Sequence, residues 1–357
     1  MATTVLIVDD SPLMRDMLAD LISMDQGLAV VGMATNGAEA VRMAKELKPD
    51  IISMDIRMPV MEGFEAIETI MADSPCPIMV VTDFDSSKTA FSSISKGALD
   101  IYPKKNIGEN DNGEYVTKLK SLSKVKVIRH LKPSLRLKAL QEPREAKEQR
   151  AAEAVKAKAV GKYDVVAIAS STGGPRALNA VLSEFKGGLP APIVVAQHMD
   201  DGFVMGFVEW LASSLTMKIR TATNGEDLLN GVVYFAPPGK NIKVAANRRV
   251  LLIDRTPKDI FHPSCDMLLS SVAEVYREKS VGVILTGMGD DGAEGIGLIQ
   301  RAGGLTIAQD EKTSVVYGMP GVTAQKGYAD FILPLPEIGR AVAELFPDAN
   351  PTEAAKK

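Results

Sequence analysis

Val5-Leu6-Ile7-Val8-Asp9-Asp10-Ser11-Pro12-Leu13-Met14 opens on an unbroken apolar run and turns into a helix start within four residues. A run that is apolar at every position suits a strand buried on both faces, as strands of parallel sheets are. Ser11 is a residue type that caps helix N-termini, and Pro12 then takes the first helical position, where its missing N–H is no loss. Met14, Met17, Leu18, Leu21 and Ile22 follow at helical spacing. Met14, Met17 and Met24 read as core filler rather than as a ligand set.

The same alternation continues to residue 122. Strands are expected over 5–8, 28–32, 51–54, 78–81 and 98–102, with amphipathic stretches between them. Five strands alternating with helices predict a doubly wound parallel sheet. The rhythm stops over 123–158, where eleven positive and four negative charges leave the rest of the chain at −11. Ala, Glu, Lys and Arg dominate from Pro143 to Lys158 without a large apolar stripe, the pattern of a solvated linker. Over 159–346 the rhythm resumes. Strands are expected at 165–169, 193–196, 232–235, 250–253, 281–285 and 305–308, and helices at 176–184, 203–213, 265–276 and 293–302. Residues 347–357 are small and polar and read as a frayed tail. The chain is therefore expected to be α/β, with two doubly wound parallel-sheet domains, 1–122 and 159–346, joined by a basic linker.

A length of 357 residues suits two domains that need no covalent staples. Cys76 and Cys265 are the only cysteines, which excludes a disulfide scaffold and Cys-rich zinc or iron–sulfur sites. A net charge of −4 argues against a nucleic-acid partner. No apolar stretch reaches the roughly 18 residues of a membrane helix. The N-terminus lacks a signal peptide's basic and long apolar regions. A cytoplasmic protein without membrane insertion is expected.

The chemistry sits at strand ends. Asp9 and Asp10 end the first strand and Asp55 ends the third. In a doubly wound sheet these meet at the crevice where strand order reverses. Three converging carboxylates repel unless a cation sits among them, and a hard ion such as Mg²⁺ suits oxygen ligands beside phosphate. Thr82 ends the fourth strand with a hydroxyl, Lys104 follows the fifth with a point charge, and Asp55 is placed to accept a phosphoryl group. Met54-Asp55-Ile56-Arg57-Met58-Pro59-Val60-Met61-Glu62-Gly63 resembles the phosphorylation loop of response-regulator receiver domains. The resemblance covers about residues 3–122 and implies a flavodoxin-like fold. It further implies phosphorylation of Asp55 by a histidine kinase, Asp9, Asp10 and Asp55 around Mg²⁺, and Thr82 and Lys104 as the switch pair. Lys105 stands where the family usually has proline. Ile101 takes the family's aromatic position, with Tyr102 beside it.

In the second domain, Ala169-Ser170-Ser171-Thr172-Gly173-Gly174-Pro175-Arg176 leaves a buried strand and opens a helix. A serine there is exposed beside a helix N-terminus that favours developing negative charge. Alternation along the strand lets only one of Ser170 and Ser171 face the crevice. A base is needed, and the chain has three histidines: His130 in the linker, His262 before Pro263, and His198 at a strand end. Thr286-Gly287-Met288-Gly289-Asp290-Asp291-Gly292 offers two candidate orienting acids at a third strand end. Cys265 near His262 offers a rival thiol nucleophile.

These motifs resemble the catalytic domain of the chemotaxis protein-glutamate methylesterases, the CheB family. The matching stretches are Ser171-Thr172-Gly173-Gly174-Pro175, Gln197-His198-Met199, Ala236-Pro237-Pro238-Gly239, Pro263-Ser264 with Asp266, the Thr286–Gly292 loop, and Tyr317-Gly318-Met319-Pro320. The resemblance implies Ser171 as nucleophile, His198 as base and acid, Asp291 as its orienter, and Thr172 and Met288 bordering an oxyanion pocket. It also implies hydrolysis of glutamate methyl esters on chemoreceptors, releasing methanol, and deamidation of receptor glutamines, with no cofactor in the esterase site. Under this reading phosphate on Asp55 activates the esterase. The departures are Asp290 for an asparagine, Asp200 and Asp201 where prolines are usual, and Asn241 near a common histidine position.

Overall fold

The structure is a computed structural model that describes residues 2–83, 87–108, 113–125, 127, 163–256 and 261–346. The chain divides into two compact units, Met1–Glu142 and Pro143–Lys357. Apart from residues 123–125 and 127, the expected linker and tail lie outside the described residues, as does His130.

In the first unit, strands β1 (Thr3–Val8), β2 (Leu28–Ala34), β3 (Ile51–Met54), β4 (Ile78–Thr82) and β5 (Asp100–Pro103) alternate with helices α1 (Pro12–Ser23), α2 (Gly37–Leu47), α3 (Gly63–Asp73), α4 (Ser87–Lys96) and α5 (Glu114–Leu122). The strands form one parallel sheet in the order β2-β1-β3-β4-β5. Ser11 caps α1 as expected, its hydroxyl accepting from the Met14 N–H at 3.4 Å, with Pro12 in the first turn. Every residue of β3, β4 and β5 is buried, which explains their nearly continuous apolarity, broken only by the buried Ser53, Thr82 and Asp100. Leu18 and Ile22 of α1 join the core, but Met14 and Met17 are only half-buried and Met24, past the helix end, is 80% exposed. Met24 is therefore a surface residue, contrary to its reading as core filler.

The second unit contains β6 (Val165–Ser170), α6 (Gly174–Leu182), β7 (Ile193–Gln197), α7 (Asp201–Ser214), β8 (Lys218–Thr221), β9 (Val232–Phe235), β10 (Lys240–Val244), β11 (Val250–Asp254), α8 (Cys265–Tyr276), β12 (Ser280–Ile284), α9 (Ala293–Arg301), β13 (Leu305–Gln309), α10 (Met319–Gln325), β14 (Phe331–Leu333) and α11 (Leu335–Glu344). Seven strands make a parallel sheet in the order β14-β13-β12-β6-β7-β9-β8. The expected strand at 250–253 does not join it. That segment is β11, which pairs antiparallel with β10 in a separate two-stranded sheet. Its burial is partial, whereas β6, β7, β9, β12 and β13 are buried throughout. The edge strands β8 and β14 escape sequence reading because one is polar and the other has only three residues.

Strand order reverses twice in equivalent places. In the first unit β1 lies between β2 and β3, and in the second β6 lies between β12 and β7. Each reversal opens a crevice at the strands' C-terminal ends. Asp9 and Asp55 flank the first; Ser171, His198 and the loop to Asp291 flank the second.

Candidate active site and phosphoacceptor site

In the first unit, Asp9 and Asp55 are almost fully buried, while Asp10 is exposed. The Asp55 N–H donates to the Val8 carbonyl at 2.9 Å, so backbone pairing of β1 and β3 continues into the site. Lys104 Nζ lies 2.6 Å from Asp55 Oδ2 and 2.8 Å from Asp9 Oδ2. The Ile56 N–H donates to Asp55 Oδ1 at 2.7 Å. Burial pushes the Asp55 carboxyl up to about 6, helped by the charge of Asp9 and opposed by Lys104. Burial works against the Lys104 ammonium, yet its two carboxylate partners raise its pKa overall. Oxygens of Asp9, Asp10 and Asp55 lie within 4.8 Å of one another. Asp9 Oδ2 is buried and, among the described residues, makes no well-directed hydrogen bond. An all-oxygen donor set, two of its three carboxylates buried, fits a hard divalent ion.

Thr82 ends β4, buried, in register with Pro103 just before Lys104. Tyr102 is fully buried, its ring 5.6 Å from that of Tyr115, whose hydroxyl donates to Ser53 Oγ at 2.9 Å. Tyr102 is thus a core residue and does not substitute for the aromatic absent at Ile101. Gly63 starts α3 so close to the loop after β3 that a Cβ would lie 1.9 Å from the Asp55 carbonyl oxygen.

In the second unit, Ser170 pairs in register with Gln197, and Ser171 and His198 each come next. Adjacent strands run about 4.8 Å apart, so the two side chains leave neighbouring strand ends. Ser170 is fully buried and its hydroxyl donates to Gln197 Oε1 at 2.7 Å. Ser171 is half-buried, and its N–H donates to the Thr286 carbonyl at 3.0 Å, tying it to the end of β12. This separates the two serines: Ser170 is sealed into the sheet and Ser171 reaches the crevice.

His198 Nε2 lies 2.7 Å from Asp291 Oδ2. Asp291 also accepts from the Cys265 N–H at 2.7 Å, the Asp266 N–H at 2.9 Å and Ser264 Oγ at 3.3 Å. Both N–H groups belong to the first turn of α8, whose dipole favours a negative charge there. Burial alone would raise the Asp291 carboxyl, but the His198 hydrogen bond and these donors bring it below its ordinary value. Asp290 is exposed and takes no part in this network. The Phe261 ring stacks on His198 with centroids 5.2 Å apart and planes 8° apart. With Nε2 engaged by the acid, Nδ1 is the ring nitrogen left to serve a substrate or a hydroxyl.

The surrounding motifs build this frame. Gly173 adopts φ +76 beside Val315, and a Cβ on Gly174 would meet Gln197 Oε1 at 1.9 Å. A Cβ on Gly287 would meet Ser171 Cβ at 2.7 Å. Thr172 is buried, its carbonyl accepting from Thr286 Oγ1 at 3.0 Å, and Met288 is half-buried in the next loop.

The response regulator receiver domain family matches residues 5–111, and the CheB methylesterase family matches residues 166–342. A protein-glutamate methylesterase/protein-glutamine glutaminase of Paramagnetospirillum magneticum is 40% identical over 96% of both chains. One of Anaeromyxobacter dehalogenans is 42% identical, again over 96% of both chains. The chain belongs to the CheB family of chemotaxis methylesterases. A solved structure, the Thermotoga maritima CheB methylesterase catalytic domain, is 39% identical, with 51% of this chain and 98% of that chain covered and a TM-score of 0.49.

Several residues of this CheB enzyme's crevice were not legible as site residues. Gln197 Nε2 donates to the Ser171 carbonyl at 2.9 Å and to the His198 carbonyl at 2.8 Å, so one amide bridges both catalytic-motif loops. Its place in a motif was visible, but its bonding was not. Phe261 gave no sequence signal. Cys265 packs against His198, its Sγ 3.3 Å from Nε2. It is fully buried, and burial together with the Asp291 charge pushes its thiol well above the ordinary range, which works against a nucleophilic thiolate there. Asn241 is buried in β10 and accepts from the Ser264 N–H at 2.7 Å, supporting the turn before α8. Asp201 accepts from the Gly239 N–H at 2.8 Å, and Asp200 caps α7 through the Gly202 N–H at 3.0 Å. Among the described residues, no helix is long and apolar enough to cross a membrane.

Proposed function

We propose that this enzyme hydrolyses γ-glutamyl methyl esters on chemoreceptor signalling helices, with Ser171 as nucleophile, His198 as general base and acid, and Asp291 as orienter. The supporting observation is the ionised, helix-held Asp291 at 2.7 Å from His198, one strand end from Ser171. His198 takes the Ser171 proton as Oγ attacks the ester carbonyl. Backbone N–H groups near Thr172 and Met288 stabilise the resulting oxyanion. Collapse returns the proton to the leaving oxygen and releases methanol, leaving an acyl-enzyme. Water then attacks, again deprotonated by His198, and frees the receptor glutamate and Ser171. A glutamine side chain follows the same course and releases ammonia. No cofactor is needed for these steps.

The receiver unit regulates this chemistry in a cytoplasmic setting. Asp55 accepts a phosphoryl group from a chemotaxis-type histidine kinase. Asp9, Asp10 and Asp55 would hold Mg²⁺, which supplies charge neutralisation for that transfer. Lys104 and Thr82 then engage the phosphoryl oxygens, and the esterase becomes more active through a population shift. A fluorophosphonate probe followed by peptide mass mapping tests the nucleophile. The adduct is expected on Ser171 and absent in His198→Gln; an adduct on Ser170 or Cys265 would refute the assignment.

A further inference from the structure

Three ligating side chains meet where ester hydrolysis uses two. His198 Nε2 lies 2.7 Å from Asp291 Oδ2 and 3.3 Å from Cys265 Sγ, and donor atoms of all three lie within 4.8 Å of one another. The proposed reaction leaves Cys265 unused. Imidazole nitrogen, thiolate sulfur and carboxylate oxygen are the donors of a borderline-soft, tetrahedral divalent ion. Sulfur discriminates against Mg²⁺, so this cluster differs in kind from the all-oxygen set of the receiver.

Geometry permits it. Metal–ligand bonds of about 2.0 Å to nitrogen and oxygen and about 2.3 Å to sulfur place tetrahedral donors roughly 3.2–3.6 Å apart. The 2.7 Å His198–Asp291 pair needs to open by about half an ångström and the 3.3 Å His198–Cys265 pair by about a quarter of one. The three residues come from separate places: Cys265 starts α8, His198 follows β7, and Asp291 ends the loop after β12. That loop carries the exposed Gly289 and Asp290 just before Asp291, so its backbone has room to move.

We propose that His198, Cys265 and Asp291 form an inhibitory site for an ion of the Zn²⁺ class. The inference rests on the catalytic roles proposed above. The ion displaces the thiol proton to solvent and binds His198 through Nε2, whose proton passes to Nδ1. An imidazole with metal on one nitrogen and a proton on the other accepts nothing from Ser171. Asp291 is drawn to the ion as well, so base and orienter are lost together, and chelation reverses the block.

The test uses the full chain with Co²⁺ as spectroscopic probe and Zn²⁺ as inhibitor. Wild type is expected to show a near-ultraviolet thiolate-to-cobalt charge-transfer band, which the oxygen ligands of the receiver do not produce. Zn²⁺ is expected to suppress methanol release from methylated receptor membranes, and EDTA to restore it. In Cys265→Val and Cys265→Ala the band disappears, and half-inhibition, relative to each variant's own zinc-free rate, needs at least about tenfold more Zn²⁺. Wild type without the band, or equal zinc sensitivity in all three proteins, overturns the proposal. A band in a protein devoid of esterase activity overturns the esterase reading and the inhibitory role, while leaving the metal site standing.

Discussion

Gln197 shows how one side chain sets catalytic geometry. It accepts from Ser170 and donates to the carbonyls of Ser171 and His198. Gln197→Met removes all three bonds; the Ser171 carbonyl keeps the Gly174 N–H at 2.7 Å, and each lost bond weighs about 1 kcal/mol. A shift of the nucleophile and base relative to one another reduces turnover, and kcat is expected to fall about tenfold or more with KM little changed. Steady-state kinetics on methylated receptors decide it; an equal rise in KM with kcat intact would contradict the positioning role. Asp55 carries a second residue-scale consequence. Its carboxyl sits at about 6 in the folded protein against 3.8 ordinarily, because burial and Asp9 outweigh Lys104. A raised acid binds its proton more tightly folded than unfolded, so ionising it opposes folding, increasingly between those two values. Asp55→Asn is expected to stabilise the receiver unit at about pH 8 by on the order of 1–3 kcal/mol, an advantage that shrinks toward acid and vanishes below about pH 3. Mg²⁺ should narrow the difference by stabilising wild type. Urea unfolding across that range measures it, and an advantage that grows toward acid would refute the cause.

At the scale of elements, loops and helix starts do the positioning. Val60, in the loop between β3 and α3, is a β-branched residue at φ +69 with its side chain 87% exposed. That backbone region disfavours L-residues by roughly 1–2 kcal/mol, and an exposed side chain recovers nothing by packing. Val60→Asn is therefore expected to stabilise the receiver unit by about 1 kcal/mol in chemical denaturation. Unchanged or lower stability would show that the valine is not strained there. The first turn of α8 holds Asp291 and is itself capped by Ser264, whose hydroxyl accepts from the Met267 N–H at 3.2 Å. Ser264→Ala removes that cap at a cost of about 1 kcal/mol and deprives Asp291 of one donor. Several-fold slower hydrolysis with a shifted acid limb of the pH–rate profile is the expected outcome.

Over the whole molecule, both crevices were legible because both obey one rule: chemistry gathers where parallel strand order reverses. Asp9 and Asp55 were readable since each ends a short, largely apolar run. Ser171, His198 and Asp291 were readable as strand-end residues once the motifs named their family. The misreadings have physical causes. Residues 250–253 look like a buried strand by composition, yet β11 pairs antiparallel with a polar neighbour and stays half-exposed. Phe261 on His198 and Cys265 beside it arise from tertiary approach across elements, which no local spacing encodes. The separation of Ser170 from Ser171 needed the register of β6 against β7.

The two crevices are proposed to work together, Ser171 hydrolysing receptor methyl esters and phosphate on Asp55 accelerating it. Methanol release from receptor membranes carrying labelled methyl esters tests both halves at once. It is run for wild type, Ser171→Ala and Asp55→Ala, each with and without a small phosphodonor and Mg²⁺. The expected result is release by wild type that rises with phosphodonor, none by Ser171→Ala, and unstimulated release by Asp55→Ala. Release that persists in Ser171→Ala, or stimulation that survives in Asp55→Ala, would contradict it.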